Sequence, residues 1–556
     1  DRNKLTVMGK VWSVDAVAKN GSTDHYGQLT TLAESPLDEN ILYAGTDDGL
    51  IHVTIDGGKS WTKVDNIPGV PERTYVNEIV TSAQNKNVAY VAFNHHRYGD
   101  FKPYLFKTSD GGKTWTPIQH NLPETGTVYC IAEDPENANL LFAGTEFGVF
   151  FSVDGGGKWI QLKGGLPPVA IKDMEIQKRD NDLVVATFGR GYYVLDDYTP
   201  LRILAGKDLD KQAFISPTRK AWMFIESRPL GLRGKGFQGE SYWNVPNPEV
   251  GSMFTYYLKQ DIKTLKEKRQ ESESEKIKNN LPPYYPSMDS LRAEDADPDP
   301  YLLFTIKDES GNAVRHLVAP AKKGIHRIVW DFRTDAKDAI SFTPFNEANV
   351  FGSPDRGIFV VPGNYTVSMS KYEDGNYTQL TPPEPFTIEA LNMASMAASD
   401  KEVLYAFGKK TSELYRAVDG TNAYRAELIN KLKYIKEAIL KTPSVDDSVM
   451  ENISSLAKRL IEVDKLLNGD VTLLKREFDA PPAIQSRVSG IMDGMLSTTA
   501  GATNTFINSY TDAAKEFAPV LEEVKSIDVE VKKLETLLEK NKAPHTPGRL
   551  PDWKME

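Results

Sequence analysis

The chain has 556 residues, 40% apolar and 26% charged; that length predicts three or four domains, and the composition excludes wholesale disorder and fibrous repeats. Lys+Arg 66 against Asp+Glu 77 leaves a net charge of −11, which argues against a general nucleic-acid binder, because such a protein needs a basic face. Cys130 is the single cysteine, so neither an internal disulfide nor a cysteine-based zinc site can form. No stretch approaches 18 consecutive apolar residues, so no membrane-spanning helix is expected. Asp1 stands where an initiator Met would, which predicts a mature or proteolytic piece of something longer.

Residues 1–200 carry an internal repeat. The segments Thr54–Trp61 (TIDGGKSW), Thr108–Trp115 (TSDGGKTW) and Ser152–Trp159 (SVDGGGKW) place Asp56, Asp110 and Asp154 at spacings of 54 and 44. A β-rich run precedes each: Ile41–Thr46, Val88–Ala92 and Leu140–Thr145. A fourth run, Leu183–Thr187, has no such box. A period near 45 with four short strands is what a propeller blade requires. About four blades of a larger β-propeller are therefore expected over 1–200. Within each box, Asp followed by Gly-Gly closes a tight turn, the carboxylate taking backbone N–H groups and Gly supplying positive φ. Trp61, Trp115 or Trp159 is then expected to pack over that turn. These aspartates and tryptophans are read as structural.

The boxes resemble the Asp-box of bacterial neuraminidase-type repeats, S/T-x-D-x-G-x-T/S-W. The first two fit it fully; Lys158 replaces the hydroxyl residue of the third, which predicts a looser turn. The same box occurs in sialidases, xyloglucan-type glucanases and the sortilin luminal domain. The runs YGQLTTLAESPLDENILYAGTDDGLIHVTIDGGKSW and LLFAGTEFGVFFSVDGG…LVVATFGRGYYVLDD resemble the second half of a bacterial sortilin-like family. Thr546–Pro551 is similar to that family's closing motif. The resemblance implies that the remaining blades come from an N-terminal half of the same protein or from another chain.

After Pro200 the repeat ends. Residues 201–298 read as an irregular connector holding a charged insertion at 259–280, a solvated segment. From Tyr301 the period becomes two, with Gly/Asn turns at Ser310–Asn312 and Pro362–Asn364, so 299–390 is expected to be an antiparallel β-sandwich. The runs Gly324–Asp331 (GIHRIVWD) and Val361–Val367 (VPGNYTV) resemble Ig-like accessory domains of bacterial surface proteins, which implies an Ig-like sandwich. Across 399–541 apolar residues recur at 3-4 spacing: Leu428, Leu432, Ile435, Ile439; then Ile453, Leu456, Leu460, Val463, Leu467; then Val524, Ile527, Val531, Leu534, Leu538. With breaks at Pro443, Gly469 and Pro481-Pro482, this predicts an antiparallel bundle of three or four helices, followed by a tail at 542–556. The fold class is mainly β and multidomain: Asp-box blades, sandwich, helical bundle.

If the box joins strands three and four of a blade, the turns between strands two and three lie on the opposite rim. That rim gathers Asp47, Asp48, His95, His96, Arg97, Tyr98, Glu146, Phe147, Phe188 and Arg190, and interblade connections add Arg73 and Glu124. A sialidase clamp could be drawn from Arg73, Arg97 and Arg190 beside Tyr98, but the N-terminal arginine motif of sialidases is absent. A glucanase needs an acid and a base at a set separation, for which Asp47, Asp48 and Glu146 are the catalytic candidates; the competing reading of Asp47-Asp48-Gly49 is a simple β-turn. Adjacent His95-His96 on a strand would point to opposite faces, so no metal is expected, and no motif calls for a cofactor. These readings favour a secreted or cell-surface, outer-membrane-associated bacterial protein that binds or scaffolds. Its rim residues His95, Arg97, Tyr98, Phe147, Arg190 and Arg73 would recognise peptide, glycan or a partner surface protein, with no nucleic acid involved. The alternative is a glycoside hydrolase with its cleft on the same rim.

Overall fold

Period-two alternation over 27–198 folds into four consecutive antiparallel sheets. The first comprises strands Leu29–Ser35, Asp38–Thr46, Ile51–Thr54 and Thr62–Val64; the second Tyr75–Thr81, Ala89–Asn94, Tyr104–Thr108 and Thr116–Pro117. The third comprises Val128–Glu133, Leu141–Thr145, Gly148–Ser152 and Ile160–Gln161, and the fourth only Ile171–Gln177, Asp182–Thr187 and Tyr192–Leu195. The computed structural model describes residues 4, 6–7, 9–16, 27–204, 207–226, 245, 247–346, 349, 355–393, 396 and 398–555. It separates into two units, Asp1–Ser216 and Pro217–Glu556.

In the first unit each sheet is a meander whose first strand touches the first strand of the next. Apolar cores fill the spaces between neighbours: Tyr43, Ile51 and Val53 against Val76, Val91 and Phe106; Tyr90 and Leu105 against Ile131 and Phe150; Phe142 and Val149 against Met174 and Leu183. This is the blade stacking of a β-propeller. Every first strand bulges at one equivalent place, inserting Thr30, Asn77, Tyr129 or Lys172. Side chains there stitch blade to blade. Thr30 Oγ1 donates to Val76 O (2.7 Å) and Asn77 Nδ2 to Tyr129 O (2.5 Å), while Thr31 Oγ1 and Glu78 Oε2 accept from Ile79 N (3.2 Å) and Ile131 N (2.7 Å).

The boxes close as turns. Asp110 Oδ1 accepts from Thr108 Oγ1 (2.8 Å) and Thr114 N (2.9 Å), and Oδ2 accepts from Thr114 Oγ1 (2.7 Å). These bonds, the Thr114 hydroxyl first, hold the carboxyl at about 2. Asp56 repeats the pattern with Thr54 and Ser60. In the third box Lys158 N still donates to Asp154 Oδ1 (2.8 Å), so the turn keeps its backbone bond and lacks only the hydroxyl one. Trp61 lies over its own turn as expected, a Cβ on Gly58 falling 3.8 Å from its Nε1, whereas the other two tryptophans depart from that reading. Trp115 packs edge-on against Tyr43, 6.5 Å away on the preceding blade, and Trp159 Nε1 donates to Ile118 O of the preceding blade (2.7 Å). Blades approach closely enough at Gly112 (φ +86°) that a Cβ would lie 2.9 Å from Val53 Cγ2.

In the second unit, strands Tyr301–Asp308, Ala313–Pro320, Gly363–Glu373, Asn376–Gln379 and Glu384–Ala390 form one antiparallel sheet. Ser252–Leu258 pairs antiparallel with Gly324–Trp330 in a second layer. Phe254 and Trp330 of that layer meet Phe386 edge-on at 5.0 and 6.0 Å, and Tyr256 meets Phe304 at 4.9 Å. Two features depart from the sequence reading. Strand Ser252–Leu258 comes from the segment read as connector, of which residues 227–244 lie outside the described residues. Ala221–Met223 joins the larger sheet by a parallel pairing with Ile388–Ala390. The charged insertion forms helix Leu265–Lys278, and a second helix, Met288–Ala296, follows it; neither has a buried residue, and Arg269 on Glu294 (2.7 Å) clamps the two together.

The bundle is not wholly antiparallel. Helix Lys401–Leu440 and helix Asn504–Lys540 run the same way, as the contacts Phe407–Tyr510, Tyr424–Asp528 and Lys431–Glu535 require. Between them the chain returns once, in two pieces: Ser448–Asn468 opposes the C-terminal half of the first helix (Asn422–Asn468, Arg425–Asp464), and Ile484–Leu496 opposes its start (Phe407–Met495). Gly469 and Pro481-Pro482 break that return stroke, which is why three stripes read as a simple up-and-down bundle. No helix among the described residues is long and apolar enough to cross a membrane.

Candidate binding rim

Two sets of repeated backbone bonds define the two rims of the blades. On one, box glycines donate to the strand one–two turns: Gly57 N to Asn40 O, Gly111 N to Asn87 O, Gly155 N to Asn139 O. On the other, the strand two–three turns donate to the residue entering the inner strand: Asp47 N to Gln28 O, Glu146 N to Thr127 O, Phe188 N to Ala170 O. The second rim carries the candidate residues.

In the first blade Asp47 is buried, and its Oδ1 accepts from Gly27 N (2.8 Å) and Gln28 N (2.9 Å). Asp48 Oδ1 accepts from Thr46 Oγ1 (2.6 Å). Both carboxylates hold a turn. Arg73 sits in the left-handed region (φ 60°) and donates to Thr6 O (3.0 Å). In the second blade His95 and His96 are not on a strand. They open a short 3₁₀ turn, His96–Tyr98, after strand Ala89–Asn94. His95 is buried, with Nδ1 3.0 Å from Thr74 Oγ1 and its ring stacked on Tyr98 at 4.6 Å. His96 Nδ1 is bonded to Asn94 Oδ1, and Arg97 lies 5.6 Å over the Tyr75 ring. Among the described residues no group of three His, Cys, Asp or Glu could hold a metal ion.

The third and fourth blades bring a compact group together. Glu146 Oε2 accepts the Tyr129 hydroxyl, and Lys172 Nζ lies 3.3 Å from the Tyr129 ring centroid and 5.5 Å from that of Phe188. Burial pulls the Lys172 ammonium below its ordinary range, opposed by the charge of Glu146. Phe147 is exposed on one side of this group; Phe188, Arg190 and Tyr192 are exposed on the other. Tyr129 and Lys172 were missed by sequence reasoning because they are the bulged residues, and a bulge leaves no mark in the period-two pattern. Tyr98 and Phe101 of the second blade extend the row of exposed aromatics.

No family model matches this chain, and no curated protein does. Among solved structures it is similar to "YCF48 bound to D1 peptide" at 15% identity and TM-score 0.25, over 31% of this chain and 53% of that one. It is similar to the GH74 enzyme of Niastella koreensis at 16% identity and TM-score 0.26, over 31% and 29%. A third likeness is to the β-propeller domain of Cps50 (Swd1) from Myceliophteria thermophila, at 14% identity and TM-score 0.25, over 32% and 54%. This chain spans about half or less of the length of each. The four stacked blades make the first unit a β-propeller segment, in a mainly β chain that ends in a helical region.

Proposed function

We propose that this is an extracytoplasmic binding and scaffolding protein whose propeller rim captures a peptide, glycan or partner surface protein. The observation that carries it is the row of exposed aromatics, Tyr98, Phe101, Phe147 and Phe188, interleaved with Lys172, Arg97 and Arg190 on one rim. Large exposed apolar groups rimmed by charge mark interaction surfaces. The three carboxylates a hydrolase would draw on are engaged within the chain: Asp47 by backbone N–H groups, Asp48 by Thr46, Glu146 by Tyr129. That supports binding over glycoside hydrolysis.

Completion of the propeller belongs to the same proposal. Leu29 and Leu32 are 68% and 67% exposed, whereas the residues at the same positions of the second blade, Val76 and Ile79, are 0% and 4% exposed. Trp61 is 45% exposed against 7% for Trp115. At the other end Tyr192 is 75% exposed, and its counterparts Leu105 and Val149 are 0%. Both end faces repeat the blade–blade interfaces and would be covered by further blades from the same protein or another chain.

Immobilised full-length chain, probed with peptide and glycan arrays, tests the rim. Phe147→Ser with Phe188→Ser should abolish capture without moving the melting temperature. Retained capture would overturn the rim assignment; turnover of a polysaccharide that is lost in Glu146→Gln would favour the hydrolase. Cell fractionation tests the location.

A further inference from the structure

Where the sandwich meets the bundle, five segments close round a cavity of about 270 Å³ that the propeller does not involve. Its walls are apolar: Met223, Ile358 and Val360 from the sandwich, Leu404, Met495 and Phe506 from the bundle. The bundle leaves this space because its wall side chains sit on glycines. A Cβ at Gly408 would lie 2.9 Å from Ile358 Cδ1 and 3.0 Å from Met495 Cε, and one at Gly494 would lie 2.3 Å from the Phe506 ring. Those side chains are therefore seated against backbone, beside the cavity.

One end is polar. Lys401, half-buried at the first turn of helix Lys401–Leu440, lines it and donates to Asn392 Oδ1 at 3.2 Å; Tyr405 and Thr498 also line the cavity. No carboxylate lines the cavity among the described residues. Asp400, next in the chain, has its carboxylate turned to the helix end, where it accepts from Glu402 N (2.9 Å) and Val403 N (3.1 Å). The cavity thus offers an apolar body and a single full charge, which is positive. That is the make-up of small-molecule sites: mostly apolar walls with few convergent polar groups.

We propose that this cavity binds a small aliphatic carboxylate, its chain among Met223, Ile358, Leu404 and Phe506 and its head on Lys401. An apolar cavity of about 150 Å³ holds benzene, so this one takes a chain of roughly ten carbons on the same scale. A charge-assisted bond fixes the acid's orientation and separates it from a neutral alcohol of equal length.

Calorimetric titration of the full chain with decanoate and with 1-decanol tests this. Decanoate should bind saturably with one-to-one stoichiometry, about tenfold tighter than decanol. Lys401→Gln, which removes the charge from a half-exposed side chain, should erase that preference and leave the melting temperature unchanged. Ala502→Leu, which adds three carbons to the cavity wall, should abolish binding of both. Absence of saturable decanoate binding, equal affinity for decanol, or a preference that survives Lys401→Gln would each overturn the assignment.

Discussion

Replacing Glu78 by Gln should uncouple the stability of the propeller unit from pH between about 4.5 and 8. Glu78 lies on inner strand Tyr75–Thr81 and accepts the Ile131 N–H of the next blade at 2.7 Å. Burial, and then the charges of Asp173 and Glu175, outweigh that bond and push the carboxyl up to about 8 from an ordinary 4.5. Because the folded value is the higher one, the stability is fully present below 4.5. It falls as pH rises, because the unfolded chain ionises where the folded one does not, and the loss is complete once pH passes 8. At about 1.4 kcal/mol per pH unit the ceiling is roughly 5 kcal/mol; solvent reaching the half-buried side chain brings this to about 2–3 kcal/mol. For a unit of this size that is roughly 4–12 °C in melting temperature. Gln keeps an acceptor for Ile131 and cannot ionise. Scanning calorimetry at pH 5, 6, 7 and 8 should therefore show the variant gaining on wild type steadily, from little difference at pH 5 to the full amount at pH 8. A difference that stays flat across the range, or a wild type that is the more stable at pH 8, would refute the reasoning.

Other substitutions separate packing from binding. Trp115→Ala removes a buried ring wedged on the preceding blade and should destabilise by about 3–5 kcal/mol, while Trp61→Ala, half exposed, should stay within about 0.5 kcal/mol; chemical denaturation compares them. Gly144→Ala would place a Cβ 2.3 Å from Cys130 Sγ and 2.8 Å from Ile171 Cγ2, so a loss of about 1–3 kcal/mol is expected. Gly420→Ala, exposed in the middle of helix Lys401–Leu440 with nothing within 4 Å, should instead gain about 0.5–1 kcal/mol. Glu146→Gln and Arg190→Ala should leave the melting temperature near wild type and weaken whatever the rim captures, measured by surface plasmon resonance on the ligand found by array.

The local rules were legible because they are short-range. Asp-Gly-Gly with a flanking hydroxyl specifies its turn within eight residues, and the carboxylate bonds of Asp56 and Asp110 lie where that pattern puts them. The 3-4 stripes over 428–439, 453–467 and 524–538 are buried along single helix faces for the same reason. What depends on which element meets which was settled only by tertiary packing. Trp115 and Trp159 lie on the preceding blade, because a large ring buries more apolar surface between two sheets than over one turn. The two longest helices run parallel, because the return stroke is broken into two pieces that together cover one partner. Strand Ser252–Leu258 was hidden in an irregular stretch, since its alternation pays off only against Gly324–Trp330. The group Tyr129–Glu146–Lys172 arises from two bulges on neighbouring blades, and nothing in a linear pattern says that residues 129 and 172 share one corner of the rim. Sequence determines each turn and stripe through contacts a few residues apart; the rim and the cavity are made of contacts tens to more than two hundred residues apart, and those exist only once the sheets and helices have packed.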